Sequence, residues 1–82
     1  MIVELSKLAF KQYKRLNEPY YSHITAAIDK LALNPPQGDI VPLKKNPGAY
    51  RLRVGPYRLF FTIDNETISI FNIARRGQAY KE

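Results

Sequence analysis

The 82-residue chain contains no cysteine and a single histidine. Without cysteine, disulfide staples, thiol nucleophiles and Cys-based zinc sites are excluded. One histidine excludes a two-histidine acid–base pair and any metal site that needs several imidazoles. Acidic side chains are scarce, seven Asp+Glu against thirteen Lys+Arg, which leaves a formal charge of +6. Long apolar runs are missing too: none approaches the roughly 18–20 residues of a membrane span. The opening MIVELSKLAF lacks the charged-then-apolar order of a signal peptide. These absences predict a soluble, cytoplasmic domain with no membrane partner, held together by packing alone. At this length the expectation is one domain over residues 1–82, hiding about 60–65% of its unfolded surface around one thin core. Such a chain has no room for separate cofactor and substrate lobes, and its charge draws it to polyanions, nucleic acid first.

What is present divides into two halves. Ile2-Val3-Glu4-Leu5 reads as a short strand, and Ser6 is a candidate N-cap. From Lys7 to Asn17 the residues Phe10, Tyr13 and Leu16 recur at helical spacing and are expected in the core. Glu18-Pro19 interrupts the pattern. A second helix starts near Tyr20 with Tyr21, Ile24, Ile28 and Leu31 on one face, and Asn34-Pro35-Pro36 ends it. Residues 35–49 read as a long irregular connection pinned by Ile40, Val41 and Leu43. Beyond it come three strand-like runs, 50–54, 57–63 and 67–73, separated by the turns Gly55-Pro56 and Asp64-Asn65-Glu66. Alternation blurs at Phe60-Phe61 and Ile70-Phe71, as expected where a central strand is covered on both faces. The predicted fold is α+β, in the order βααβββ, with a helical hairpin packed on a small, mainly antiparallel sheet.

The positive excess lies in the sheet half. Lys44, Lys45, Arg51, Arg53 and Arg58 fall between Asp39 and Asp64 with no acidic residue among them, and Arg75, Arg76 and Lys81 follow Glu66. Arg51 and Arg53 alternate with Tyr50, Leu52 and Val54, so their guanidinium groups leave one face of a strand about 7 Å apart. Arg58 follows across the turn. Cations so placed repel one another unless an anion fills the space between them, and guanidinium forks match phosphate oxygens. Tyr50, Tyr57 and Tyr80 flank the cluster and offer stacking faces for an unpaired base. His23 reads as a surface or packing residue, and the helical cations Lys7, Lys11, Lys14 and Arg15 as the wet face of a helix that can add general affinity for an RNA backbone.

The stretch Leu43-Lys44-Lys45-Asn46-Pro47-Gly48-Ala49-Tyr50-Arg51-Leu52-Arg53-Val54-Gly55-Pro56-Tyr57-Arg58 resembles the signature of RelE-type toxins of the RelE/ParE superfamily. The ending Ile73-Ala74-Arg75-Arg76-Gly77-Gln78-Ala79-Tyr80 is similar to that family's closing element. The resemblance implies a type II toxin: a ribosome-dependent messenger RNA endoribonuclease that needs no metal or other cofactor and is neutralised by a cognate acidic antitoxin. Its partners would be the ribosome, mRNA and that antitoxin, with operator DNA met only as the antitoxin complex. Carried over by residue, the catalytic set is Arg51, Arg53, Arg58, Arg76 and Tyr80. Lys44, Lys45, Arg75 and Lys81 would contact RNA or ribosome. Arg75 stands where the family has a histidine, and Ala74 and Gln78 replace its Gly and Asp. A ParE-like inhibitor of DNA gyrase on the same scaffold is the alternative, and a bare nucleic-acid-binding module is a third.

Metal-free RNA cleavage lets the ribose 2′-hydroxyl attack the adjacent phosphorus. A base must take its proton, and cations must neutralise the phosphorane. Arginine suits the second task. Deprotonating one at neutral pH costs about 7.5 kcal/mol, some 3 kcal/mol more than a lysine. The arginines are therefore expected to act by electrostatics, with a weak base or one supplied by the ribosome, and the isolated protein to be nearly inert on free RNA.

Overall fold

A computed structural model describes residues 1–77. Its elements run β1 (Ile2–Leu5), α1 (Lys7–Lys14), α2 (Tyr20–Leu31), β2 (Asp39–Pro42), β3 (Ala49–Val54), β4 (Tyr57–Asp64) and β5 (Thr67–Arg75). The strands form one sheet in the order β1-β5-β4-β3-β2, with β1 parallel to β5 and every other pair antiparallel. The α+β architecture and the helical hairpin are as expected. No helix among the described residues is long and apolar enough to cross a membrane.

The sequence-based order βααβββ lacks β2, which lies inside the stretch read as irregular. Ile40 pairs with Leu52 and Val41 with Arg51, so these two pinning residues belong to an edge strand, while Leu43 follows it and is buried in a small apolar cluster. Its ladder is completed by β3, a partner that local periodicity cannot reveal. Pro42, which has no N–H to donate, is tolerated because an edge strand leaves one side unpaired.

Local chemistry accounts for the element ends. Ser6 caps α1, its hydroxyl accepting from the Ala9 N–H at 3.0 Å. The Glu18 carboxylate accepts from both the N–H and the hydroxyl of Ser22, at 3.0 and 2.8 Å, which closes the first turn of α2. Those two bonds hold the Glu18 carboxyl below its ordinary pKa. The β3–β4 and β4–β5 hairpins turn on two residues each, with Gly55 at φ +56° and Asn65 at φ +55°. A left-handed residue at the first turn position matches the right-handed twist of the strands.

The main core lies between the helices and one face of the sheet, around Ala9, Ile24, Leu31, Leu52, Leu59, Phe61, Ile68, Ile70 and Ile73. Leu43, Ala49, Phe60 and Ala74 form a second, smaller cluster, with Phe71 packed against it. Phe60 and Phe61 are 2% and 0% exposed and belong to different clusters, so β4 is covered on both faces, as the blurred alternation predicted. Phe10 departs from expectation: it is 52% exposed, with the Lys14 ammonium 5.2 Å from its ring centroid. The inward stripe of α1 is Ala9 and Tyr13, at i and i+4, continued by Leu16 just beyond the helix. Counting by threes from Phe10 drifts about 60° per step off that stripe.

A register shift at Phe60/Phe61 interrupts the β4–β5 ladder. Gln12 of α1 repairs it: its Oε1 accepts from the Ile73 N–H at 2.6 Å, and its Nε2 donates to Asn72 Oδ1 at 3.0 Å. Gln12→Ala strands a part-buried backbone donor, so a loss of about 1–3 kcal/mol in denaturant unfolding is expected.

Candidate phosphate-binding site

The face of the sheet turned away from the helices is where the arginines meet. Arg53 of β3 and Arg58 of β4 are direct cross-strand partners, and Arg51 sits two residues back on the same strand opposite Phe60. In β5, Ala74 pairs with Arg58. Arg76 follows one residue beyond the strand, where its N–H donates to Pro56 O at 2.6 Å and ties the end of β5 to the β3–β4 turn. Arg58 is anchored at that turn, its Nη1 donating to Gly55 O at 3.2 Å and Tyr57 O at 3.0 Å.

Electrostatics record the crowding. The Arg58 guanidinium is pushed below its ordinary pKa, first by desolvation and then by the charges of Arg51, Arg53 and Arg76, with Asp39 acting in the opposite sense. Arg51 Nε is buried and has no hydrogen-bond partner among the described residues. A buried, unpaired guanidinium N–H is costly, and an anion in the space it faces would satisfy it. The small cluster of Leu43, Ala49, Phe60 and Ala74 forms the apolar floor beneath these charges.

The other sequence candidates divide. Lys44 and Lys45 are exposed on the loop between Leu43 and Ala49, at the end of β3 remote from the Arg53–Arg58 pair. Tyr80 and Lys81 lie outside the described residues. The Arg75 and Arg76 side chains keep different company. Alternation turns Arg75 to the helix side, where it lies over the rings of Tyr20 and Tyr57 at 5.6 Å from each centroid. Tyr50 and Tyr57 are also on that side, Tyr50 stacked on Phe61 at 5.6 Å and Tyr57 tilted against Tyr20 at 5.3 Å. They brace the core and do not flank the cluster as a base platform. His23 is exposed, edge-on to Tyr20 at 6.5 Å.

The Tyr20–Arg75–Tyr57 triad, in which the guanidinium meets two rings that also pack on each other, links the start of α2 to the end of the sheet. Each cation–ring contact at an exposed site contributes about 0.5–1 kcal/mol, so Arg75→Ala is expected to cost about 1–2 kcal/mol. Urea unfolding measures this, and phosphate binding on the opposite face should be unchanged.

Sequence reasoning missed Asp39. In the chain it marks only the start of the basic stretch, yet it pairs in register with Arg53, and its Oδ2 lies 2.9 Å from Arg53 Nε. Only the unanticipated strand β2 brings it there. An open groove of about 450 Å³ lies elsewhere, between α1 and the end of β5, with Gln12, Arg15, Tyr57 and Arg75 in its lining. The arginine cluster is spread over β3, β4 and the end of β5, an extent that suits a polymer backbone better than a small molecule.

Comparison with known proteins accords with this geometry. The family model described as the ParE toxin of the type II toxin–antitoxin system parDE matches residues 3–80. The chain is a RelE-type toxin of the RelE/ParE superfamily. It is similar to the protein named "Putative toxin RelE1" of Methanocaldococcus jannaschii, with 33% identity over 96% of this chain and 93% of that one. Among solved structures, the isolated Escherichia coli RelE toxin superposes with a TM-score of 0.80 at 12% identity, over 95% of this chain and 86% of that one. An archaeal RelE–RelB complex from Pyrococcus horikoshii gives 0.78 at 25% identity, over 95% and 97%. The toxin thus belongs to a type II toxin–antitoxin system, on a fold that others share at low sequence identity.

Proposed function

We propose that this toxin is a messenger RNA endoribonuclease that acts on the ribosome and halts translation. The observation that carries the reading is the convergence of Arg51, Arg53, Arg58 and Arg76 on the helix-free face, with a buried Arg51 N–H that has no hydrogen-bond partner among the described residues. A transesterification at phosphorus gathers negative charge on the equatorial oxygens, and fixed guanidinium groups stabilise it without the reorganisation that water would require. The charge is therefore neutralised by side chains, with no metal in the scheme. Tyr80 would stack on a base beside the scissile phosphate. Lys44, Lys45 and Lys81 would add affinity for ribosomal RNA, since backbone contacts require only charge.

A cognate antitoxin completes the system. Two solved relatives are RelB–RelE complexes, and a net charge of +6 favours an acidic, partly disordered partner segment laid over the arginine face. The toxin would act in the cytoplasm and reach operator DNA only within that complex.

Expression of the toxin in cells, with primer extension on a reporter transcript, tests the reading. Discrete cuts within translated codons are expected, and purified toxin should leave naked RNA intact while cutting message on programmed ribosomes. The ParE description of the matching family model favours a second reading, inhibition of DNA gyrase. Intact transcripts together with DNA damage in expressing cells would establish that reading instead.

A further inference from the structure

The arginine cluster lacks a group that takes a proton. Every described catalytic candidate is a guanidinium, cationic at neutral pH and so without a lone pair for the 2′-hydroxyl hydrogen. Asp39 is the carboxylate that the fold adds to this face. It stands at the end of a row that crosses the sheet as Asp39–Arg53–Arg58–Ala74. With strands about 4.8 Å apart, a phosphate held between Arg53 and Arg58 lies within one ribose of the Asp39 side chain. Asp64 has the same strand parity as Arg58 but sits six residues along β4, about 20 Å away.

We propose that Asp39 is the proton acceptor of the cleavage reaction. The inference rests on the nuclease reading. The carboxylate is 48% exposed, open to a substrate laid across the sheet. Its 2.9 Å contact with Arg53 is to Nε, and the terminal nitrogens are the ones that fork onto a phosphate. The charged groups facing it are Arg53 from β3 and, further along the row, Arg58 from β4, with Arg51 and Arg76 contributing to the same field. The Arg53 contact holds the carboxylate in place beside the cluster. In the step itself the 2′-hydroxyl proton passes to an Asp39 oxygen, the O2′–P bond forms and the P–O5′ bond breaks. The departing O5′ takes a proton from water, and Asp39 returns its own to solvent. The products are a 2′,3′-cyclic phosphate and a 5′-hydroxyl end.

The test is single-turnover cleavage of message on programmed ribosomes by full-length wild type, Asp39→Asn and Asp39→Glu. Asparagine still offers an oxygen to the Arg53 N–H but is not a base. A loss of about a hundredfold in maximal rate is expected for it, at an unchanged half-saturating toxin concentration, with much of the rate kept by glutamate. A rate for Asp39→Asn close to wild type, a defect confined to binding, or an equal loss from both variants overturns the inference. Should Asp39→Asn melt early, Asp39→Ala with added formate decides: restored cleavage supports the role, and no restoration overturns it. A wild type that cuts nothing on the ribosome removes the nuclease reading and this inference together, whereas an active wild type isolates the question of Asp39.

Discussion

Arg58→Ala is expected to lower cleavage of ribosome-bound message by about a thousandfold, the upper end of the loss from deleting one transition-state donor. Arg58 is singled out by position. It sits opposite Arg53, is held by two carbonyls at the β3–β4 turn, and feels the charges of Arg51, Arg53 and Arg76. Its orientation is therefore set before substrate arrives. Its partial desolvation strengthens its interaction with a phosphorane relative to a cation in open water. Arg58→Lys keeps the charge but replaces the planar fork with a point charge, so a smaller loss is expected. Stability should move the other way: deleting Arg58 relieves repulsion among the cluster, and the alanine variant should melt at or above the wild-type temperature. Single-turnover cleavage and a thermal melt measure both. A variant that cleaves like wild type would remove Arg58 from the chemistry.

Phe61→Ala is expected to have the largest effect on the fold. Phe61 is 0% exposed in the middle of β4, pairs with Tyr50 and Ile70, and stacks on the Tyr50 ring at 5.6 Å. Truncating a buried phenylalanine costs about 3–5 kcal/mol, because the surroundings only partly fill the void. A domain of this length has about 4–12 kcal/mol of stability in total. The melting temperature should fall by about 12–40 °C, taking 4–8 °C per kcal/mol for a small domain. By comparison, Phe10→Ala should be nearly neutral, since Phe10 is largely exposed and packs chiefly under the Lys14 ammonium. The two phenylalanines thus separate a core position from one that shares only its hydrophobicity, and unfolding curves of both variants make the comparison.

The family, the two helices, the β3–β4–β5 meander and the basic face were legible in the chain, because each depends on spacing between near neighbours. Alternation alone puts Arg51 and Arg53 on one side of a strand, and a two-residue turn after Val54 brings Arg58 beside them. The same alternation, followed one strand further, separates Arg75 from Arg76 and turns Tyr50 and Tyr57 toward the helices. Adjacency in sequence grouped these residues with the cluster, but a pleated backbone sends neighbours to opposite faces. What only the tertiary structure decided is the company each charge keeps. Strand β2 has no local signal strong enough to announce it, because an edge strand draws its hydrogen bonds from a distant partner. That pairing alone sets Asp39 against Arg53 and supplies a row of cations with its one carboxylate. Periodicity reports which way a side chain points from its own backbone, while the identity of the group it meets depends on contacts closed across tens of residues.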